Sequence, residues 1–159
     1  MRRSTVLLAT TVIAVVIIAG VSAVYFWWPS YTIVQPTERK STIEITLYAG
    51  ETPSNFSFGL TTHNLTSPGP TLRFKVGDVV QVKLVNVGKF SHSFAITDAP
   101  KGGAPVLFNA TIGSAKNPIP PGGSGAVTFV VDKAGDYYYM CQVHGHVDLG
   151  MWGRVIVEP

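Results

Sequence analysis

From residue 42 onward the apolar side chains recur at every second position, a pattern that commits a chain to half-buried strands. The runs are Ile43, Ile45 and Leu47; Leu72, Phe74 and Val76; Val80, Val82 and Leu84; Val127, Phe129 and Val131; and Val155 with Val157. Arg73, Lys75, Gln81 and Lys83 fall between them, so each run offers one face to a core and one to water. Gly77-Asp78, Pro120-Pro121-Gly122-Gly123 and Lys133-Ala134-Gly135-Asp136 separate the runs with turn chemistry. Short strands punctuated in this way over roughly 100 residues favour two packed sheets with Greek-key connections. The expected fold class is an all-β, Greek-key β-sandwich.

The N-terminal part has a different character. Arg2 and Arg3 precede an uncharged run over residues 4–28, long enough to cross the ~30 Å hydrocarbon core as one transmembrane helix. The arginines should stay on the cytoplasmic side, and Tyr25, Phe26, Trp27 and Trp28 sit where an outer aromatic belt belongs. A cleaved signal peptide is the competing reading, because Val21-Ser22-Ala23 is an acceptable cleavage site; the apolar stretch exceeds a usual signal core and runs past that site. Residues 29–41, with Pro36, Glu38, Arg39 and Lys40, read as a tether, and residues 42–159 as the folded domain. The expectation is a single-pass protein of the cytoplasmic membrane with its C-terminal domain on the outer face.

Charged residues make up 13% of the chain and the formal net charge is +3, too sparse for a phosphate-binding surface, so nucleic acid is excluded as a partner. Cys141 is the only cysteine, which excludes an intramolecular disulfide, a four-cysteine zinc or iron–sulfur site and a two-cysteine dinuclear copper centre. It stands in the run Tyr137-Tyr138-Tyr139-Met140-Cys141-Gln142-Val143-His144-Gly145-His146-Val147-Asp148-Leu149-Gly150-Met151-Trp152. A thiolate, an imidazole and a thioether in one loop between two apolar strands are a donor set that suits copper in a trigonal site with a weak axial sulfur. His92, reached after the strand over residues 79–86 and a short loop, is the obvious source of a further donor. His144 competes with His146, since a Cys-x2-His loop would bring Leu149 rather than Met151 to the axial place. The His146 assignment uses every donor once. His63 reads as a surface residue, and Tyr137, just after Gly135-Asp136, fits a tyrosine corner.

At these residues the chain resembles the type 1 blue copper proteins of the cupredoxin family, most closely its sulfocyanin and rusticyanin branch. The likeness rests on Cys141-x4-His146-x4-Met151, the preceding Gly135-x-Tyr137-x-Tyr139-x-Cys141, the Asn86 to His92-Ser93-Phe94 segment, and the strand and turn from Pro70 to Asp78. It covers roughly residues 42–159. The resemblance implies that His92, Cys141 and His146 form the trigonal set around one copper ion, that Met151 is the axial ligand, and that Ser93 donates a hydrogen bond to the ligand loop. It also implies a carrier that shuttles one electron between Cu(I) and Cu(II) and performs no bond chemistry. That branch usually has proline where His144 stands, which puts the stiffness of this loop in question.

Around the donors, Phe90, Leu149 and Trp152 are expected to form an apolar collar through which electrons leave. Asn55, Asn64 and Asn109 each begin an Asn-x-Ser/Thr sequon. The resulting expectation is a membrane-anchored electron carrier in an extracytoplasmic respiratory chain, with an upstream donor and a terminal oxidase as redox partners. The alternatives are a copper-dependent oxidase or nitrite reductase domain, which needs more histidine donors than His63 and His144 can supply, and a copper-trafficking module.

Overall fold

The computed structural model describes residues 42–159. The expected span over residues 4–28 and tether over 29–41 lie outside the described residues. Among the described residues no helix is long and apolar enough to cross a membrane.

The described chain is all-β, with ten strands: β1 (Thr42–Glu51), β2 (Phe56–Gly59), β3 (Leu65–Thr66), β4 (Gly69–Lys75), β5 (Val79–Asn86), β6 (Phe94–Thr97), β7 (Thr111–Ile112), β8 (Ser124–Val130), β9 (Gly135–Met140) and β10 (Trp152–Glu158). They form two five-stranded sheets, ordered β3-β2-β1-β5-β8 and β4-β10-β9-β6-β7. Crossovers bring β1 parallel to β5 and β4 parallel to β10, while the remaining pairs are antiparallel. Leu47, Phe58, Val80, Val82, Leu84 and Phe129 of the first sheet share one core with Leu72, Phe74, Phe94, Ile96, Tyr139, Val155 and Val157 of the second. Burying each such side chain contributes about 1.5–3 kcal/mol, which makes the in-and-out parity of the strands costly to invert.

Alternation located most of this core and misassigned its ends. Ile43 is 37% and Val76 is 39% exposed, because β1 begins outside the core and β4 stops at Lys75, leaving Val76 in the turn. In β6 the residues Phe94, Ala95, Ile96 and Thr97 are all buried. Such a strand shows no alternation because both of its faces are covered.

Two features steer the sheets toward the candidate site. On β5 the buried parity of Val80, Val82 and Leu84 continues to Asn86, which carries a polar group inward at the strand end. On β9, Tyr139 is fully buried and donates its hydroxyl to Pro70 O at 2.7 Å. Its ring passes so close to Gly69 and Gly153 that a β-carbon at either position would collide with it. One residue pair earlier, Tyr137 donates to Lys133 O at 3.1 Å, the tyrosine corner expected from the sequence.

Candidate metal centre

His92 is fixed by its neighbours before any metal is considered. Its backbone pairs with Ile119 in both directions, His92 N to Ile119 O at 3.0 Å and Ile119 N to His92 O at 2.7 Å. Asn86 braces the preceding loop: Nδ2 donates to Phe90 O at 2.8 Å and to Ile119 O at 2.9 Å, and Oδ1 accepts from Gly88 N at 2.9 Å. The imidazole is fully buried, and its Nδ1 has no hydrogen-bond partner. A buried polar atom left unpaired costs about 1–3 kcal/mol, so its orientation calls for a partner from outside the chain.

The other donors come from the segment between β9 and β10. Cys141 N donates to Met151 O at 3.1 Å and Met151 N to His146 O at 3.0 Å, which closes the segment on itself. Gly145 and Gly150 sit at φ 79° and 85°, immediately before His146 and Met151. Residues with a β-carbon avoid this left-handed region, so the two glycines let the loop turn twice within a few residues. Cys141, His146 and Met151 are all buried, and Cys141 and Met151 belong to the main core.

His92, Cys141 and His146 each bring one ligand atom to within 4.8 Å of the others. Cys141 Sγ lies 3.5 Å from His146 Nδ1 and accepts from Ser93 N at 3.3 Å. Ser93 Oγ is 3.7 Å from the same sulfur and accepts from Gln142 N at 2.8 Å, so Ser93 links the His92 segment to the segment between β9 and β10. One thiolate and two imidazoles in a dry pocket, with a thioether nearby in sequence and in the core, fit one copper ion better than a hard cation.

The profile of the family described as multicopper oxidase matches residues 52–159. The rusticyanin of Acidithiobacillus ferridurans is 38% identical over 94 residues, covering 56% of this chain and 50% of that protein. The solved rusticyanin from Thiobacillus ferrooxidans superposes with a TM-score of 0.56 at 32% identity, over 74% of this chain and 77% of that one. The chain belongs to the cupredoxins, the type 1 blue copper proteins. A copper nitrite reductase from Nitrosomonas europaea is also similar, with a TM-score of 0.58 at 28% identity, over 75% of this cupredoxin and 42% of the reductase chain. The matched region spans about half the length of the first rusticyanins, 50% in two cases and 61% in a third.

The electrostatics of the cupredoxin site follow from its dryness. Burial pushes the Cys141 thiol up, and N–H groups of Ser93 and Val143 only partly oppose this. Burial lowers His92, against the pull of Glu51. His146 is lowered to about 4, by burial first and then by the charge of His92. Both rings are thus neutral at pH 7, the form that binds metal.

Two contributors escaped the sequence reading. Phe56, from β2, stacks on His146 with centroids 3.8 Å apart and planes at 15°. Glu51, from the end of β1, accepts from His92 Nε2 at 3.0 Å. Although burial raises the Glu51 carboxyl, hydrogen bonds from Lys89, Phe90 and His92 hold it below its ordinary value. Neither has a local motif, and the available signal was a lone acid ending an apolar strand in Tyr48-Ala49-Gly50-Glu51. Of the expected collar, Phe90 and Leu149 are 57% and 49% exposed and line one recess of about 210 Å³ together with Glu51 and Phe56. Trp152 instead packs edge-on against Tyr138 at 5.8 Å. His63 and His144 are exposed.

Proposed function

We propose that this cupredoxin carries single electrons through one copper ion, held by His92, Cys141 and His146 as a trigonal set with Met151 as the weak axial donor. The observation that carries the reading is the buried His92, Cys141 and His146 cluster, the one group of three or more such donors among the described residues. The copper supplies a one-electron couple, and the chain supplies a site that resists rearrangement. Backbone bonds hold Cys141 to Met151 and Met151 to His146, Ile119 clamps His92, and burial keeps water away. Donors that cannot move far suit both oxidation states without following either, which keeps reorganisation small. The half-exposed Phe90 and Leu149 offer a partner an apolar approach near His146. The visible and EPR spectra of the copper-loaded domain test the reading: an intense sulfur-to-copper band with narrow parallel hyperfine splitting and reversible voltammetry are expected. A colourless copper-loaded protein overturns it, and binding of Cu(I) without reversible cycling points to copper trafficking.

Residues 4–28 are proposed to anchor the carrier in the cytoplasmic membrane, with residues 29–41 as tether and the copper domain on the outer face of a respiratory chain. The uncharged run behind Arg2 and Arg3 supports this. Tethering beside a membrane-bound donor and a terminal oxidase would replace a three-dimensional search by high effective concentration. Retention of the full chain in membranes after alkaline carbonate washing is the expected result, and its release counts against the anchor. Asn55, Asn64 and Asn109 are exposed, and a fall in intact mass after glycosidase treatment would identify them as carriers of glycans.

The match to the multicopper oxidase family and to part of a nitrite reductase favours one second reading, a domain of a copper enzyme. Such enzymes need further histidine-rich copper sites, and beyond His92 and His146 this chain has only His63 and His144, which lie in different loops. Oxygen uptake or nitrite turnover by the purified protein would establish the enzyme; neither is expected.

A further inference from the structure

Glu51 is built into the copper end of the domain more firmly than a solvated surface acid needs. Its Oε2 accepts from Lys89 N at 2.9 Å, and its Oε1 accepts from Phe90 N at 3.1 Å and from His92 Nε2 at 3.0 Å. The approach depends on Gly88, where a β-carbon would stand only 2.5–2.8 Å from the carboxylate atoms. The side chain keeps 20% exposure, whereas the His92 side chain has none. The end of β1, a glycine without a side chain and two peptide N–H groups thus converge to hold one carboxylate against one ring.

An ionised carboxylate only accepts hydrogen bonds, so the hydrogen in this contact belongs to His92 Nε2. A neutral imidazole protonated there presents a bare lone pair at Nδ1, and Nδ1 is the atom of this ring without a partner in the chain. We propose that Glu51 is a positioning residue for His92: it fixes the Nε2–H tautomer so that Nδ1 is ready to bind copper, and its charge, felt through the ring, favours the cupric over the cuprous state. The charge effect rests on the copper reading above; the tautomer is a property of the metal-free chain. A carboxylate that polarises a metal-bound imidazole in this way increases its basicity as a ligand. The competing role is a mere staple for the loop over residues 88–92, and it predicts no dependence on charge.

Two measurements decide the matter. In metal-free protein at pH 7, long-range proton–nitrogen correlation should find the His92 ring protonated at Nε2 and bare at Nδ1; an Nδ1-protonated ring overturns the proposal. In copper-loaded protein, Glu51→Gln keeps one acceptor oxygen and removes the charge, while its amide NH2 donates where the second carboxylate oxygen accepted. Cupric affinity should fall by about 10–100-fold and cuprous affinity by less, so the ratio moves roughly tenfold toward the reduced state and the midpoint potential rises by about 59 mV. Glu51→Asp, which keeps the charge, should lie closer to wild type than Glu51→Gln. A Glu51→Gln potential equal to that of wild type overturns the proposal even if the colour is retained. Should the variant not fold, the wild-type tautomer still decides, and a wild type that takes up no copper defeats the electron-carrier reading while leaving the ring measurement valid.

Discussion

Asn86→Ala is the change that best separates the brace of the site from its donors. The side chain is buried, and alanine removes three hydrogen bonds: those to Phe90 O and Ile119 O, and that from Gly88 N. Ile119 O still accepts from His92 N at 3.0 Å, so the loss falls mainly on Phe90 O and Gly88 N. At roughly 1–1.5 kcal/mol for each of the two orphaned groups, the variant should be about 2–3 kcal/mol less stable. Urea unfolding of the metal-free protein should show this as a lower midpoint with an unchanged slope, and melting should fall by roughly 8–12 °C at about 4 °C per kcal/mol. Asn86→Asp should be no better than alanine, because it can accept from Gly88 N but, when ionised, cannot donate to either carbonyl. A loss below about 0.5 kcal/mol for Asn86→Ala, the level of an ordinary surface change, would refute the assignment of Asn86 as the brace.

Three further outcomes follow from the same geometry. Gly153→Ala forces a β-carbon into the buried Tyr139 ring and should cost about 3 kcal/mol in denaturant unfolding, the upper part of the overpacking range, whereas Gly102→Ala, with open space around it, should be nearly neutral. Cys141→Ser should abolish the sulfur-to-copper absorption, while Met151→Leu should keep the colour and shift the potential in voltammetry. Metal-free protein at pH 7 holds a protonated Cys141 and neutral His92 and His146, so copper uptake should release about one proton in a pH-stat titration. Because a group with a depressed pKa takes up its proton only as the pH falls through that value, release should climb above one proton as the pH approaches about 4, where His146 protonates.

The loop between β9 and β10 was legible because Cys141 and His146 lie close together in sequence, and two glycines mark its turns. Tyr137 and the faces of β4, β5, β8 and β10 were legible for a similar reason: each depends on local spacing. Strand β6 was not, since a strand covered on both sides loses its period. The two-residue strands β3 and β7 exist through their partners, Phe58 with Thr66 and Phe94 with Ile112 among them, and have no pattern of their own. Glu51 and Phe56 were hidden because they reach the site across a hairpin, from residues paired with each other at the end of β1 and the start of β2. The sequence spacing between Glu51 and His92 is 41 residues, and only the sheet order brings them together.

Strands β1 and β5 lie side by side in the same direction, with Leu47 opposite Leu84 and Ala49 opposite Asn86. Both therefore deliver their last residues to one end of the sandwich, and the brace and the carboxylate arrive as a matched pair. Adding or deleting a single residue within either strand would turn one of them away from the ring they jointly serve. Lengthening the exposed bend near Gly102, which has open space around it, would leave that alignment untouched. Drift in length should thus be tolerated at that bend and rejected within these two strands.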